Sequence, residues 1–494
     1  MRTPTDSPTT LIWLRRDLRL ADNPALALAL AHGERPLVLY IHAPEEEAPW
    51  APGAASRWWL HQSLASLEQR LRTLGGQLIL AAGDSLAMLR ATAKATNATA
   101  VYWNRLYDPA LVARDSRIKQ ALRGDGLRCE SLKAQVLFEP WELATGAGQP
   151  YRVFSAFWRK ATPRLDGAPP QPSPIALPAP PPGIPSLPLA ALGLLPRHPW
   201  AAGLGQAWHP GEPGAQALLD AFLGNAEHYG EQRDLPAVKG TSRLAPHLHF
   251  GEISPRQVIA ALAAEAPGGL TGAAEPFVRE LGWREFAHHL LYHYPYTPQE
   301  PLDPRFAAFP WRTDGAEALL AAWQAGRTGI PLVDAGMREL WQTGWMHNRV
   351  RMVVAALLTK HMRLPWQAGA RWFWDTLVDA DLAANTLGWQ WSAGCGADAA
   401  PYFRVFNPVR QGERFDPQGD YVRRWCPELA ALPAPWIHSP WAAPDATLHR
   451  AGLRLGRDYP APVVDLVQGR AEALAAWEQL KGGSPVQATR PAFD

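Results

Sequence analysis

The chain is poor in cysteine, and it lacks a glycine-rich turn after its first hydrophobic segment. Its three cysteines, Cys129, Cys395 and Cys426, lie far apart in 494 residues. They supply no disulfide framework, no CxxC metal site and too few thiolates for an iron–sulfur cluster with four cysteine ligands. The turn RRDLRLADNPAL contains no glycine, so the G-x-G-x-x-G fingerprint of a Rossmann dehydrogenase is absent.

Long hydrophobic runs and a strong excess of one charge are also missing. The N-terminus carries only the short apolar run Leu11–Leu14, which is not a signal peptide. No uninterrupted apolar stretch is long enough to span a bilayer, so we expect a cytoplasmic protein without a membrane partner. The net charge of +2 and the pI near 8.4 mean that any nucleic-acid partner must meet a local basic patch.

What the chain does contain divides it into three parts. In residues 1–133, four strand-like runs, TLIWLRRD, PLVLYIHA, QLILAAG and ATAVYWNR, alternate with helical patterns, one of them starting at Ser56 as N-cap. This alternation predicts a doubly wound parallel α/β sheet. Residues 134–205 form a connector that is densest in proline from about 162 to 200. Residues 206–494 show helical periodicity without a convincing strand, which predicts a large all-α domain.

Tryptophan is abundant, with 23 residues, and many of them lie beside arginines in the C-terminal half. An aromatic-rich core explains most of them. The helix FVRELGWREFAHHLL also places Glu280, Trp283 and Arg284 on one face. Taken alone, that face is typical of a surface ion pair beside a core indole.

The segment GWMHNRVRMVVAALLTKHM is basic. Asn348 and Met352 share a helix face in it. A basic run is usually a solvated face, but this one alternates with apolar positions, which suits a rim that touches phosphates. Residues 346–363 contain no acid and four basic residues, Arg349, Arg351, Lys360 and Arg363.

Two further segments indicate a ligand. Thr241, Ser242 and Arg243 follow a glycine at the start of a predicted helix, and this combination predicts either an anion site for a diphosphate or an ordinary helix cap. In DADLAANTLGWQW, Asp381 can cap a helix, and Asp379 needs a cationic partner such as Arg351 or Arg243. Two aspartates can accept hydrogen bonds from a ligand that carries N–H donors at its edge, such as a flavin or adenine ring. Asn385 adds a neutral amide one turn after Asp381.

Five blocks resemble the photolyase/cryptochrome family, and in particular its bacterial cyclobutane pyrimidine dimer photolyases of class I or III type. The blocks are LIWLRRDLRLADNPAL, EQRDLPAVKGTSRLAPHLHFGEISPRQ, RELGWREF, RTGIPLVDAGMRELWQTGWMHNRVRM and DADLAANTLGWQWSAGCGADAAPYFRVFNP. The resemblance covers nearly the whole chain. It implies an α/β domain followed by an all-α FAD-binding domain, and light-driven splitting of pyrimidine dimers in UV-damaged DNA by an electron from photoexcited reduced FAD.

The resemblance implies that FAD is bound in a bent conformation inside the helical domain. Asn385 would lie against the reactive ring nitrogen, and Asp379 would pair with Arg351. Asn385 favours a repair enzyme, because sensory cryptochromes tend to carry Asp or Cys there. Ala245 and Phe277 replace the serine and tryptophan that are frequent in the family. The implied FAD-binding positions are Tyr229, Thr241, Ser242, Arg243, Leu244, Ala245, Phe277, Arg351, Asp379, Ala380, Asp381 and Asn385.

The resemblance also implies a pocket for a flipped-out dimer. Glu280 would bond to the bases, Trp283 and Trp391 would form an aromatic wedge, and Asn348 and Met352 would line the remaining wall. A histidine at the position of Asn348 is expected for (6-4) repair, so that chemistry is disfavoured. DNA contacts are implied for Arg233, Arg284, Asn348, Arg349, Trp391 and Arg404. An electron-transfer chain is implied for Trp389, Trp366 and Trp311.

Three hypotheses follow. The first is the repair enzyme, and the second is a blue-light sensory cryptochrome, for which the tail KGGSPVQATRPAFD is short. The third, a nucleotide-binding transferase or electron-transfer flavoprotein, leaves the C-terminal motifs unexplained. The family resemblance also implies an antenna in the α/β domain, for which methenyltetrahydrofolate is expected ahead of 8-hydroxy-5-deazaflavin or an empty groove. A nucleoid-associated bacterial monomer is expected.

Overall fold

The computed structural model describes residues 7–266, 268–399 and 403–482, so most of the tail after Leu480 lies outside the described residues. The N-terminal part contains the expected parallel sheet, in the order β3-β2-β1-β4-β5. The sequence patterns predicted four of its five strands and missed β5, a short edge strand that contains charged residues. The strands are β1 Thr9–Leu14, β2 Arg35–His42, β3 Leu78–Ala82, β4 Ala100–Asn104 and β5 Arg128–Leu132.

Four helices alternate with these strands, as the doubly wound pattern requires. The expected start of the second helix at Ser56 is wrong, because the helix begins at Ala54 with Gly53 as its N-cap. A Cβ atom on Gly53 would overlap the backbone of Trp374, so the helical domain approaches this cap too closely for any side chain. The helices are α1 Pro24–Ala31, α2 Ala54–Thr73, α3 Ser85–Thr96 and α4 Pro109–Gly124.

The proline-rich connector lies along the α/β domain. The backbone N–H of Gln171 donates to the Asp22 carboxylate at 3.1 Å. Farther along, the N–H of Leu187 donates to the Leu80 carbonyl at 2.8 Å, and the N–H of Leu80 donates to the Ser186 hydroxyl at 3.0 Å. Leu80 belongs to β3, so the connector covers the outer edge of the sheet.

The rest of the described chain is helical apart from one isolated bridge between Leu455 and Tyr459. Among the described residues no helix is long and apolar enough to cross a membrane. The α-helices are α5 Phe154–Ala161, α6 Ala202–Ala207, α7 Glu212–Leu223, α8 Tyr229–Gln232, α9 Ala245–His249, α10 Pro255–Glu265, α11 Glu275–His293, α12 Ala316–Gln324, α13 Pro331–Thr343, α14 Asn348–Ala356, α15 Trp366–Thr376, α16 Leu382–Ala393, α17 Pro408–Phe415, α18 Asp420–Trp425, α19 Ala434–Ile437, α20 Asp445–Arg450 and α21 Leu466–Gly482. A π-helical turn, Leu357–His361, extends α14. Short 3-10 turns cover Pro44–Glu47, Pro140–Glu142, Thr162–Arg164, Leu189–Leu192, Pro199–Ala201, Ala226–His228, Gly269–Thr271, Pro304–Ala308, Pro427–Leu429 and Pro440–Ala442.

Buried polar contacts join the two domains. The indole N–H of Trp59, on α2, donates to Glu252 at 3.0 Å. The same carboxylate accepts from the N–H of Gly211 at 2.7 Å and pairs with His247. Because unpaired buried carboxylates are costly, this network fixes how α2 docks on the helical domain. Within that domain α11, α14 and α15 pack against α16, which carries the aspartate–asparagine motif.

Candidate flavin and DNA site

The centre of the site is an ion pair between α14 and the segment before α16. One guanidinium nitrogen of Arg351 donates to both carboxylate oxygens of Asp379, at 2.8 and 3.1 Å. The Nε of Arg351 donates to the Met346 carbonyl at 2.7 Å, which fixes the plane of the guanidinium. The Asp379 side chain is only 5% exposed, and charge-assisted pairs of this kind hold both partners in one orientation.

Asp381 has a different role from Asp379 in the structure. It is the N-cap of α16, and its carboxylate accepts from the backbone N–H of Ala384 at 3.0 Å. His249 lies 3.3 Å and His288 3.7 Å from the other carboxylate oxygen. Burial opposes ionisation, but His288 and His249 hold the pKa of Asp381 well below its usual range. The protein itself therefore supplies much of the hydrogen bonding that this carboxylate needs.

Asn385 lies on the first turn of α16, half-buried. Its amide nitrogen donates to the Ala370 carbonyl at 3.0 Å, so the orientation of the side chain is fixed by α15. In the described part of the chain no hydrogen bond reaches its amide oxygen. That oxygen is left as an acceptor for a ligand, and the amide itself does not titrate.

The predicted anion segment differs in detail from the sequence expectation. The helix after Gly240 begins only at Ala245, so Thr241 and Ser242 do not cap its first turn. Arg243 has a left-handed backbone with φ 54°. Its guanidinium carbon lies 4.0 Å from the centre of the Trp208 ring and 5.1 Å from that of Trp345.

This arrangement fits FAD. The Nε of Arg243 is buried and has no hydrogen-bond partner among the described residues, which is costly unless a ligand supplies an acceptor. Burial also lowers the pKa of Arg243. Tyr229 and Phe277 form a buried edge-to-face pair at 5.3 Å, and Leu244 and Ala380 are buried beside the polar residues. An anionic, flat dinucleotide matches this set of donors and apolar surfaces.

The lesion-side residues form a second group. Glu280 accepts a hydrogen bond from Arg233 at 2.6 Å. Trp283 stacks on Phe154, with ring centres 3.7 Å apart and planes at 10°, so half of the expected wedge is supported from α5. Met352 is half-buried and Asn348 is exposed.

Trp391 is the other half of the expected wedge. The guanidinium of Arg404 lies 5.3 Å from the centre of its ring, and the ring of Phe406 lies 6.3 Å away on the same loop. Arg349 is also placed by its neighbours, pairing with Asp234 at 2.8 Å and lying 4.4 Å from the Phe415 ring.

Arg284 differs from the other arginines of the expected DNA surface. Its side chain is only 13% exposed. It donates to the Gln135 carbonyl at 2.8 Å and to Glu285 at 3.1 Å. The guanidinium therefore ties α11 to the segment after β5 through Nη1, while Nη2 is buried without a hydrogen-bond partner among the described residues.

The three tryptophans of the expected electron-transfer chain lie at different depths. Trp389 and Trp366 are buried, and Trp311 is half-buried against Phe309. Trp389 packs on Gly369, where a Cβ atom would overlap its ring.

Sequence reasoning missed several residues of the site. Trp323 lies edge-on to Trp389 at 6.1 Å, and His249 reaches Asp381 across 132 residues. No spacing rule connects positions that distant. Lys360 was expected at a phosphate-touching rim, but it is only 1% exposed. That expectation is wrong for Lys360 because it belongs to the π-helical turn Leu357–His361, whose five residues are all buried.

Comparisons with known proteins place this geometry in a family. The family model described as DNA photolyase matches residues 10–179, and the model described as FAD binding domain of DNA photolyase matches residues 277–479. A deoxyribodipyrimidine photo-lyase of Agrobacterium fabrum is 47% identical over 95% of this chain and 98% of its own length. Cryptochrome-1 of Arabidopsis thaliana is 41% identical over 96% of this chain and 71% of its own. The crystal structure of a bacterial class III photolyase from Agrobacterium tumefaciens superposes with a TM-score of 0.92 at 46% identity, covering 97% of this chain and 98% of that one. The chain therefore belongs to the DNA photolyase family, and its C-terminal helical part is the FAD-binding domain of that family.

Proposed function

We propose that the protein is a light-driven deoxyribodipyrimidine photo-lyase that splits cyclobutane pyrimidine dimers in UV-damaged DNA. The observation that carries the proposal is that one helix, α16, holds both Asn385, whose amide oxygen accepts no hydrogen bond from the described residues, and Trp391, beside the guanidinium of Arg404. When bound, reduced FAD supplies the electron that blue light transfers to the dimer. No residue needs to donate a proton or hold a metal for this bond cleavage.

Each group of residues has a task in this proposal. The Arg351–Asp379 pair and the buried Arg243 bind and orient the cofactor. Asn385 keeps a neutral acceptor beside the ring. Trp283 and Trp391 receive the flipped dimer by stacking, which offsets an extrusion cost of a few kcal/mol. Glu280 bonds to the base edges, Asn348 and Met352 line the wall, and Arg233, Arg349 and Arg404 contact the flanking phosphates.

A sensory cryptochrome is the second candidate. Arabidopsis thaliana Cryptochrome-1, at 41% identity, is more similar to this chain than the Escherichia coli deoxyribodipyrimidine photo-lyase, at 38%, but less similar than the Agrobacterium fabrum deoxyribodipyrimidine photo-lyase, at 47%. Asn385 argues against it, because an amide cannot exchange a proton with the cofactor as an acid can.

We also propose a methenyltetrahydrofolate antenna in preference to 8-hydroxy-5-deazaflavin. Ligands of open α/β sheets bind where the strand order reverses, which is between β1 and β4 here. Buried side chains fill this crevice. Arg15 donates to the Asn104 carbonyl and pairs with Asp115 at 2.8 Å, while Arg15 and Arg114 lie 4.3 and 4.8 Å from the Trp13 ring. A flat three-ring chromophore would have to displace them.

The remaining parts of the proposal concern organisation. We propose an antenna-binding domain at residues 1–133, a linker at 134–205 and a catalytic domain at 206–494. The protein is proposed to act as a monomer in the cytoplasm, associated with nucleoid DNA.

The test is blue-light repair of a thymine-dimer oligonucleotide by the purified, photoreduced protein. Glu280→Ala and Asn348→Ala should each lose repair while retaining FAD. The control Glu231→Ala, an exposed change on α8, should keep both repair and FAD. Normal photoreduction of FAD by the wild-type protein without any loss of dimers would reject the proposal in favour of the sensory role.

A further inference from the structure

Lys360 is a buried amine without an acidic partner. It is 1% exposed, and among the described residues no carboxylate pairs with it. Burial lowers the pKa of Lys360 well below its usual range. A methionine would fill the same space without the cost of burying an amine. The lysine is therefore expected to have a role that its contacts can explain.

Two contacts hold the amine. Its nitrogen donates to the Ala393 carbonyl at 2.6 Å, in the last turn of α16. The same nitrogen lies 3.1 Å from the centre of the Phe403 ring, as in a cation–π or N–H···π contact. A Cβ atom on Gly394 would lie 3.2 Å from the amine and 3.0 Å from the ring, so this glycine gives both groups room to approach.

These contacts lie on the two segments that carry Trp391 and Arg404. Ala393 follows Trp391 by two residues, and Phe403 immediately precedes Arg404, whose guanidinium lies 5.3 Å from the Trp391 ring. The next residue of the π-helical turn, His361, bonds through Nε2 to the Phe406 carbonyl at 2.9 Å. Lys360 and His361 thus hold the end of α16 in a fixed position relative to the loop that contains Phe403 and Phe406. π-helical turns are frequent at functional sites.

We propose that Lys360 is a positioning residue for lesion recognition, which sets Trp391 and Arg404 at the spacing that a flipped dimer requires. The proposal rests on the proposed function. Lys360 does not touch the substrate. It acts by joining the helix that carries the stacking indole to the loop that carries the phosphate-binding arginine. A residue that served stability alone would affect damaged and undamaged DNA equally.

The experiment measures binding in the dark, for a thymine-dimer oligonucleotide and its undamaged counterpart, by Lys360→Met protein loaded with FAD. We expect the Kd for the dimer, which meets both Trp391 and Arg404, to rise about tenfold, and the Kd for undamaged DNA, which meets Arg404 alone, to rise by no more than about threefold. FAD content and photoreduction should match the wild type. Lys94→Met, an exposed change in α3, controls for the loss of one lysine.

Equal weakening for both DNAs, or an unchanged Kd for the dimer, would overturn the proposal. If Lys360→Met fails to retain FAD, Phe403→Leu decides instead, because it removes the ring below the amine and leaves Lys360 in place. A folded Phe403→Leu protein with wild-type affinity for the dimer overturns the proposal. Wild-type protein that prefers dimer DNA but does not repair it in light would overturn the proposed function alone.

Discussion

Glu280 and Arg233 form an ion pair, with Oε1 and Nη1 2.6 Å apart, although each is expected to contact a different part of the substrate. The carboxylate belongs to α11, and the guanidinium follows α8. Both side chains are partly exposed, so the pair itself adds little stability. A base edge and a phosphate can therefore replace the two partners at small cost.

The two residues should give different binding phenotypes. Arg233→Ala should weaken binding to damaged and undamaged DNA alike. It should also reduce the slope of log K against the logarithm of the salt concentration by about 1. Glu280→Gln should weaken only dimer binding, by about 1.5–3 kcal/mol, since it removes a charged acceptor. Salt titrations with both oligonucleotides separate the effects. An unchanged salt slope in Arg233→Ala would exclude a phosphate contact.

The Arg351–Asp379 pair should control cofactor retention. Asp379→Asn leaves a partly buried guanidinium without its anion, so we expect a loss of roughly 1–3 kcal/mol in the free energy of unfolding and a lower FAD content after purification. Thermal unfolding and the flavin absorbance measure the two quantities. Asp445→Asn, at an exposed position on α20, should change neither. Full FAD occupancy in Asp379→Asn would show that the pair does not orient the cofactor.

Two glycines test the packing around Trp389. A methyl group on Gly369 would overlap the Trp389 ring, whereas nothing lies within 4 Å of the corresponding position on Gly388. Gly369→Ala should therefore displace the indole, destabilise the protein by about 1–3 kcal/mol and slow photoreduction of the flavin. Gly388→Ala should raise stability by about 0.5–1 kcal/mol through helix propensity. Equal photoreduction rates in the two variants would contradict a role for Trp389 in electron transfer.

Stability should fall as the pH rises from about 4.5 toward neutrality, because of Glu285. Burial raises the pKa of Glu285 to about 7 from an ordinary value of 4.5, against the opposing effect of Arg284 and two backbone N–H groups. Between these values the folded chain holds a proton that the unfolded chain has released, so a higher pH favours unfolding. The contribution is present below pH 4.5 and is lost by about pH 7, and it amounts to roughly 3 kcal/mol.

Glu285→Gln keeps an acceptor for the two N–H groups and should flatten this dependence. Chemical denaturation at pH 5 and pH 8 measures it, with Glu317→Gln, an exposed position on α12, as the control. Burial also raises the pKa of Glu339 to about 7. Glu339 therefore contributes the same pH dependence of stability in every variant. If stability changes equally between pH 5 and pH 8 in the Glu285→Gln and wild-type proteins, Glu285 is ionised over that whole range.

The sequence predicted the two-part architecture because alternating strands and helices differ in period from a helical bundle. The need of Asp379 for a cation also followed from the residues, since a buried carboxylate needs a positive partner. That reasoning left Arg351 and Arg243 open, and the resemblance to the family singled out Arg351. Arg284 could not be placed in this way. Its helical spacing puts it beside Glu280, but Gln135, 149 residues away, provides its partner. The burial of Lys360 was missed for a different reason. A basic run predicts a solvated face, but Lys360 belongs to a π-helical turn whose five residues are all buried.

The connector over β3 has a consequence for the behaviour of the chain in crowded solution. The outer edge of a sheet exposes N–H and C=O groups that can pair with a second chain. Here the N–H and the C=O of Leu80 are both bonded to the connector. Prolines in that connector lack the N–H that would let it accept another strand. The segment that links the domains therefore also blocks pairing of a second chain at Leu80 on the β3 edge.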